Sequence, residues 1–347
     1  MLTSLRLIDF RCFESISLNL DSSTVYFVGE NAQGKTSLLE AIAVASRLGS
    51  PRASRLSHIV REGRDGCGVA LECGESSFKS VYQDRKFQLN IDGVPVKRKD
   101  YLMQSPRIVW LESRDLDLIR ASGDKRRRFL DAIGSQFSTS YAKALKDYTK
   151  ALRSRNVLLK EGREREGSFK VFSDLLVESG MILIEYRERI IDQLLPYLVT
   201  SHAQISNSRE SFALQYQPSV KDFESELQAN FTRDCVMRQT MLGPHRDDFL
   251  LLVDGRGASD FASEGQQRTL AISLRLAQGE LLKSQALHQE VIYLVDDVFG
   301  ELDNFRRRAF LEALPSDSQK LFTTTSLNWA QVSGSVYTIK GSEITPQ

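Results

Sequence analysis

Cysteine is scarce in this chain, with four in 347 residues: Cys12, Cys67, Cys73 and Cys235. They fit no CxxC pairing and no zinc-ligand spacing, so each reads as a buried or incidental thiol, and the count suits a reducing cytosol. Long apolar runs are missing as well, and none approaches the roughly 18 residues that a membrane span needs. The N-terminus alternates polar and apolar residues and carries Arg6 and Asp9 early, which is not the pattern of a signal peptide. These absences predict a soluble, cytoplasmic protein with no membrane partner. Charge of one sign is also lacking: 46 Lys and Arg stand against 45 Asp and Glu, a net +1. Bulk electrostatics gives no mandate for nucleic acid, so any polyanion site must be a local patch. Internal repeats and low-complexity segments are absent.

What is present is an apolar content of 41%, enough for an ordinary core, in a length that suits two domains or one domain with a large insertion. The first 110 residues read mostly as strands: LRLIDF and SISLNL alternate, Val25 to Val28 is a continuous buried-type run, and short strand-like pieces occupy Val69 to Val96 with a turn at Asp92-Gly93. From about Leu116 the pattern becomes helical. Asp124 to Leu198 is rich in Leu, Lys, Arg, Glu and Ala, with GREREG (Gly162 to Gly167) as a helix–helix connection and no piece long enough for an extended coiled coil. After a strand at Phe212 to Tyr216 the chain returns to α/β punctuation. The hairpin-like FLLLVDGRG is followed by a helix from Gln266 to Leu282, a strand Val291 to Val295, a helix near Phe305 to Leu314 and a strand Lys320 to Thr324. This order predicts an α/β ATPase lobe split between residues 1–115 and 240–347, with an inserted, mainly helical lobe over 116–239.

Three motifs carry chemistry. The stretch YFVGENAQGKTS has the GxxxxGK[ST] spacing of a phosphate-binding P-loop, entered from an apolar run and left into a helix-like one. Its glycines let backbone N–H groups cradle phosphate oxygens, and the helix that follows offers its N-terminus to the anion. Lys35 is placed to reach the β/γ-phosphates and the Thr36 hydroxyl to ligate Mg²⁺. The bland alternative is a chance match, expected in roughly one chain in a hundred of this length. The second motif, VIYLVDDVFGELD, ends an apolar strand in two acids, at the sheet edge where parallel α/β folds bind ligands. Asp296 would hold Mg²⁺ and Asp297 would orient or deprotonate water; alternatively both are solvated strand caps. The third, SEGQQRTLAISLRLA from Ser263, is similar to an ABC-type signature, whose small polar residue and helix start face a γ-phosphate. Its bland reading is an N-cap.

Together with LRLIDFRCF, KRRRFLD (Lys125 to Asp131), LKDYTKALRSRNVLLK and LGPHRDDF (Leu242 to Phe249), these motifs make the chain resemble the RecF family, in the SMC-like branch of the ABC ATPases. Local departures are Ala32 where many relatives have glycine, Glu264 for Gln, Gly300 for Ser, and the segment WLESRDLDLIRASGD. The resemblance implies an ABC/SMC-type ATPase head that closes by ATP-dependent homodimerisation. Each site would combine the P-loop of one subunit (Gly29, Glu30, Asn31, Ala32, Gln33, Gly34, Lys35, Thr36, Ser37) with Ser263, Gly265 and Gln266 of the other, Ser263 acting in trans. Asp303 would communicate across that interface, and Arg11 would lie near the nucleotide. ATP and Mg²⁺ are the implied cofactors, with Thr36 and Asp296 on the metal and Asp297 and Lys35 catalytic. The implied function is a slow, DNA-stimulated ATPase acting as a DNA clamp in recombinational and replication-gap repair. It would aid recombinase loading at single-strand gaps, on duplex, gapped or junction DNA, with RecR/RecO-type mediator proteins as partners. Thr324 and Thr325 fall where transporter ATPases carry a switch histidine, which implies another kind of γ-phosphate sensor.

Candidate DNA contacts are Lys125, Arg126, Arg127 and Arg128, then Arg153, Arg155 and Lys160, and Arg306 to Arg308, against the alternative that each cluster is a solvated helix face. His245 and Arg246 read as structural, since no nucleophile stands beside them. Two rival functions remain open. A transporter nucleotide-binding subunit is disfavoured by the missing LSGGQ and switch histidine. A dimerising scaffold that barely hydrolyses is disfavoured by the intact Asp296-Asp297 pair.

Overall fold

The computed structural model describes residues 1–53, 55–206, 210–285, 290–327 and 333–347. The chain forms two compact units. Unit 1 comprises Met1–Asp115, Ser201–Asn207 and Ile272–Gln347; unit 2 comprises Leu116–Thr200 and Ser208–Ala271.

In unit 1 the P-loop strand, Thr24–Val28, lies inside a sheet of six strands among the described residues. Gln319–Thr324, then the acidic strand Val291–Asp296, then Arg107–Glu112 follow on one side, all parallel. Ser335–Lys340, parallel, and Glu343–Pro346, antiparallel, lie on the other. Val291–Asp296 and Arg107–Glu112 read as near-continuous apolar runs because both faces of a parallel sheet are covered. A second, antiparallel sheet is built from Leu2–Phe10, Phe13–Asn19 and the strands from Gly66 to Pro95. Between them runs the loop helix Lys35–Arg47, buried almost all round and packed on both sheets, as its mostly apolar LLEAIAVAS sequence requires. One buried side chain fastens the sheets. Gln319 Oε1 accepts from Leu2 N–H at 2.8 Å, while its Nε2 donates to the carbonyls of Leu2, Leu20 and Ser22 at 2.8–3.0 Å.

Unit 2 contains the helices Gly123–Phe137 and Thr139–Glu161 and most of Gly167–Ile205. The second ends at Gly162, in the left-handed region at φ 68°, where the sequence predicts the connection. The third is a 39-residue helix that continues through Pro196, so it is longer than the sequence suggests, roughly 58 Å. Residues 240–271, assigned from sequence to the ATPase lobe, cluster with unit 2. The cause is strand pairing: Asp248–Val253 lies antiparallel to Phe212–Gln217, with Asp248 opposite Gln217.

Candidate functional site

The P-loop closes on itself through its lysine. Lys35, 6% exposed, donates from Nζ to the carbonyls of Gly29 and Glu30, each at 2.6 Å. Burial pulls its pKa down, opposed by Asp297 and Asp296. Gly29 has no room for a side chain: a Cβ there would stand 2.4 Å from the Ile339 carbonyl oxygen. Gly34, at φ 97°, precedes the loop helix, and a Cβ on it would strike Phe13 and Cys12. No side chain caps that helix and no acid occupies its first turn, so its positive end is left for an anion from outside the chain. Glu30 and Asn31 are exposed, and Gln33 Oε1 accepts from Gly341 N–H at 2.5 Å.

Ala32 takes φ 65° in the same loop. Left-handed backbone costs a non-glycine residue about 1–2 kcal/mol, and glycine returns about 0.4–1 kcal/mol of that as unfolded-chain entropy. Ala32→Gly is therefore expected to raise stability modestly, by up to about 1.6 kcal/mol, and the β-branched Ala32→Val to lower it. Urea unfolding midpoints check both; a loss with glycine would contradict the strain argument.

At the carboxyl edge of the sheet the Thr36 hydroxyl donates to Asp296 Oδ1 at 2.7 Å, and Thr323 Oγ1 donates to the same oxygen at 2.7 Å. Thr323 Oγ1 also accepts from the Asp297 N–H at 3.0 Å. Burial pushes the Asp296 carboxyl above its usual range, with these hydroxyls and Arg52 pulling the other way. A half-buried carboxylate against a hydroxyl, both hard oxygens, facing an open helix N-terminus suits Mg²⁺ shared with phosphate, since Mg²⁺ favours one or two carboxylates plus phosphate oxygens. Asp297 sits at φ 50°, its side chain exposed. Such backbone is unusual for a residue other than glycine and is enriched at functional sites.

The structure moves the threonine. Thr323 reaches the acids, whereas Thr324 Oγ1 donates to the Ser326 carbonyl at 2.9 Å and Thr325 is exposed. Neighbouring strand residues face opposite ways, so only one of the two buried threonines can turn toward the pair. Glu112 is a residue that the sequence reading overlooked. It is the register partner of Asp296 on the adjacent strand, and burial, then Asp115, raises its pKa. The signal was available: RIVWLE is an apolar run ending in an acid, as VIYLVD is.

Other expected site residues are already engaged. Arg11 is bound two-pronged to the fully buried Glu40, at 2.9 and 2.7 Å, and to the His58 carbonyl at 2.5 Å, so its guanidinium supports the loop helix. Ser263 and Gln266, in unit 2, form a reciprocal cap at the start of the helix Glu264–Ser284: Gln266 N–H donates to Ser263 Oγ at 3.3 Å and Ser263 N–H to Gln266 Oε1 at 2.7 Å. Gly265 lies in that first turn, and Gln266 Nε2 donates to Glu210 at 2.6 Å. Asp303 caps the helix Asn304–Ala313 through Arg306 N–H at 2.8 Å and pairs with the Arg306 guanidinium.

The DNA candidates divide. Arg155 is 1% exposed and bonded to Asp234 and Thr240 inside unit 2, so it is excluded from a DNA surface. Arg126 grips Asp248 at 2.6 and 2.8 Å, and Arg127 donates to the Asp247 carbonyl at 2.7 Å; both are internal braces. Lys125 and Arg128 lie on the surface beside Asp117 and Asp124. Arg153 and Lys160 are exposed.

A P-loop strand within a parallel sheet, with an acidic strand ending beside the loop threonine, defines an ATPase head of the ABC/SMC type. The chain belongs to the RecF/RecN/SMC N-terminal domain family, which it matches over residues 1–343. It is similar to the DNA replication and repair protein RecF of Agathobacter rectalis, 33% identical over 356 residues covering 98% of each chain. The RecF of Leptospira interrogans is 33% identical over 337 residues, covering 93% of this chain and 91% of its own. Among solved structures, the recombination mediator protein RecF-ATP in the RecFOR pathway is 27% identical with a TM-score of 0.88, covering 100% of this chain and 97% of the other. An Smc head domain with an extended coiled coil from Pyrococcus furiosus, 16% identical at a TM-score of 0.55 over 100% of this chain and 96% of its own, shares the fold. Among the described residues no helix is long and apolar enough to cross a membrane.

Proposed function

We propose that the chain is an ATP-dependent DNA clamp of recombinational and replication-gap repair, which homodimerises on ATP and releases on slow, DNA-stimulated hydrolysis. The observation that carries this reading is the convergence of Lys35, Thr36, Asp296, Asp297 and Thr323 at one sheet edge, in a chain similar to RecF along its whole length. Bound Mg²⁺, held by Thr36 and Asp296, would neutralise phosphate charge. Lys35 would exchange its two loop carbonyls for phosphate oxygens, and the loop-helix N–H groups would donate to the same anion. Asp297 would orient water and take its proton. Its short arm, compared with a glutamate, suits slow turnover and a timed clamp. Mediator proteins of the RecO and RecR kind are the proposed partners, at DNA with a gap or junction.

Sharing of sites between subunits gives the test. Ser263→Arg is expected to bind ATP yet fail to dimerise, because a bulky cation replaces the small cap that would approach the partner's γ-phosphate. Lys35→Met is expected to lose ATP-driven dimerisation. Mixing the two variants concentrates both defects in one site of each mixed dimer and leaves the other whole, as two-fold symmetry requires. Some hydrolysis should return in the mixture, with sedimentation following the dimer. Full activity of Ser263→Arg alone would rule out shared sites.

A further inference from the structure

The motifs KRRRFLD and GPHRDDF, far apart in sequence, form one device in unit 2. Every residue of the loop from Gly243 to Asp248 is anchored except one side chain. Gly243 exchanges hydrogen bonds with Ser219 Oγ at 3.0 and 2.8 Å. The Pro244 carbonyl accepts from Arg187 at 2.6 Å. His245 is held at both ring nitrogens, by the Tyr148 hydroxyl at 2.7 Å and the Thr240 carbonyl at 3.1 Å. Asp247 is fully buried and takes Arg187, the Tyr216 hydroxyl and the Ser219 N–H, while Arg127 binds its carbonyl. Asp248 is gripped by Arg126. Buried polar groups satisfied on every side fix a unique geometry at a cost in desolvation, so such a network is expected where a position matters.

What this network positions is Arg246. Its N–H closes the turn onto the Gly243 carbonyl at 2.8 Å. Its side chain is exposed, and among the described residues the guanidinium has no hydrogen-bond or ion-pair partner. The other charges nearby are engaged within the unit: Arg187 is shared between Asp131 and Asp247, Arg126 pairs with Asp248, and Arg127 lies beside Asp124. His245 is no competing cation, because burial holds it down at about 4. The loop therefore presents a single positive charge on a fixed backbone. A planar guanidinium on a pre-placed stem is suited to phosphate oxygens, and prior fixing of its backbone lowers the ordering cost of the contact.

We propose that Arg246 is a nucleic-acid backbone contact, binding a phosphate of duplex DNA, and that Arg126 and Arg127 are the positioning residues that hold its loop. This rests on the DNA-clamp reading above. The alternative source of the same anion is the phosphate chain of a nucleotide.

The test uses the full chain with ATP, Mg²⁺ and a fluorescently labelled duplex, with affinity measured by anisotropy across a salt series. Arg246→Gln is expected to bind more weakly whatever the duplex sequence, and to reduce the slope of log affinity against log salt by about 0.9 for each phosphate contact removed. Arg246→Lys keeps the charge and should keep the slope, and thermal midpoints equal to wild type show that the loop still folds. An unchanged affinity and slope in Arg246→Gln overturns the proposal. So does a fall in ATP affinity with the slope intact, which would give the anion to the nucleotide. Wild-type protein that binds no DNA under any nucleotide condition would instead overturn the clamp reading itself.

Discussion

Asp297→Asn is expected to bind ATP, accumulate as a closed dimer and hydrolyse about 10²–10⁴-fold more slowly, the usual contribution of a positioned general base. Two features make the substitution informative. Asparagine tolerates left-handed backbone as aspartate does, so the φ of 50° at this position is kept without new strain. The Asp297 N–H that donates to Thr323 is a main-chain group and survives too. Only the basic oxygen is lost, while Thr36 and Asp296 remain for the cation. Single-turnover phosphate release together with sedimentation reads both halves of the expectation. Rapid hydrolysis by the variant would move water activation to another group, and Glu112, beside Asp296 on the next strand, would be the first to examine.

Arg155→Met is expected to lower the stability of unit 2 by about 3–5 kcal/mol, the usual cost of leaving one partner of a buried ion pair uncompensated. Arg155 ties together pieces remote in sequence: Asp234 at 2.8 Å, Thr240 at 2.6 Å and Ser173 at 3.1 Å, with its guanidinium 4.7 Å from the centre of the Phe169 ring. Asp234 is wholly buried and also accepts from Asn230 and from the Met241 N–H. Removing the arginine strands that carboxylate. The double variant Arg155→Met/Asp234→Leu should therefore be more stable than the single one. Chemical denaturation followed by circular dichroism measures the difference. A single variant as stable as wild type would contradict the buried-pair argument.

The nucleotide loop and the acidic strand were legible because their chemistry is local in sequence: glycines at a fixed spacing, and an apolar run ended by carboxylates. Strand parity was not legible. Thr323 and Thr324 differ only in which face of the sheet they meet, and that is set by the pairing of Gln319–Thr324 with strands elsewhere in the chain; Thr325 lies beyond the strand's end. The basic clusters misled for a related reason. A run such as KRRR looks the same whether it faces solvent or carboxylates 122 residues away, as Arg126 faces Asp248. Arg155 carries no mark of burial in its own neighbourhood, since the acid that neutralises it is 79 residues further on. The return from inserted lobe to ATPase lobe was misplaced at 240 because an antiparallel pair, Phe212–Gln217 with Asp248–Val253, binds the later segment to the earlier one.

The strand that carries the P-loop has both of its neighbours, Gln319–Thr324 and Ser335–Lys340, from beyond residue 318. Gln319 is also the residue that fastens the first strand of the chain. At synthesis rates of about 5–20 residues per second, TVYFV waits roughly 15–60 s on the ribosome with both edges unpaired. An apolar strand exposed in this way is a template for aggregation, so the nascent chain depends on being shielded through most of its translation. A polypeptide halted before Gln319 carries the whole GENAQGKTS sequence yet has no sheet in which to set it.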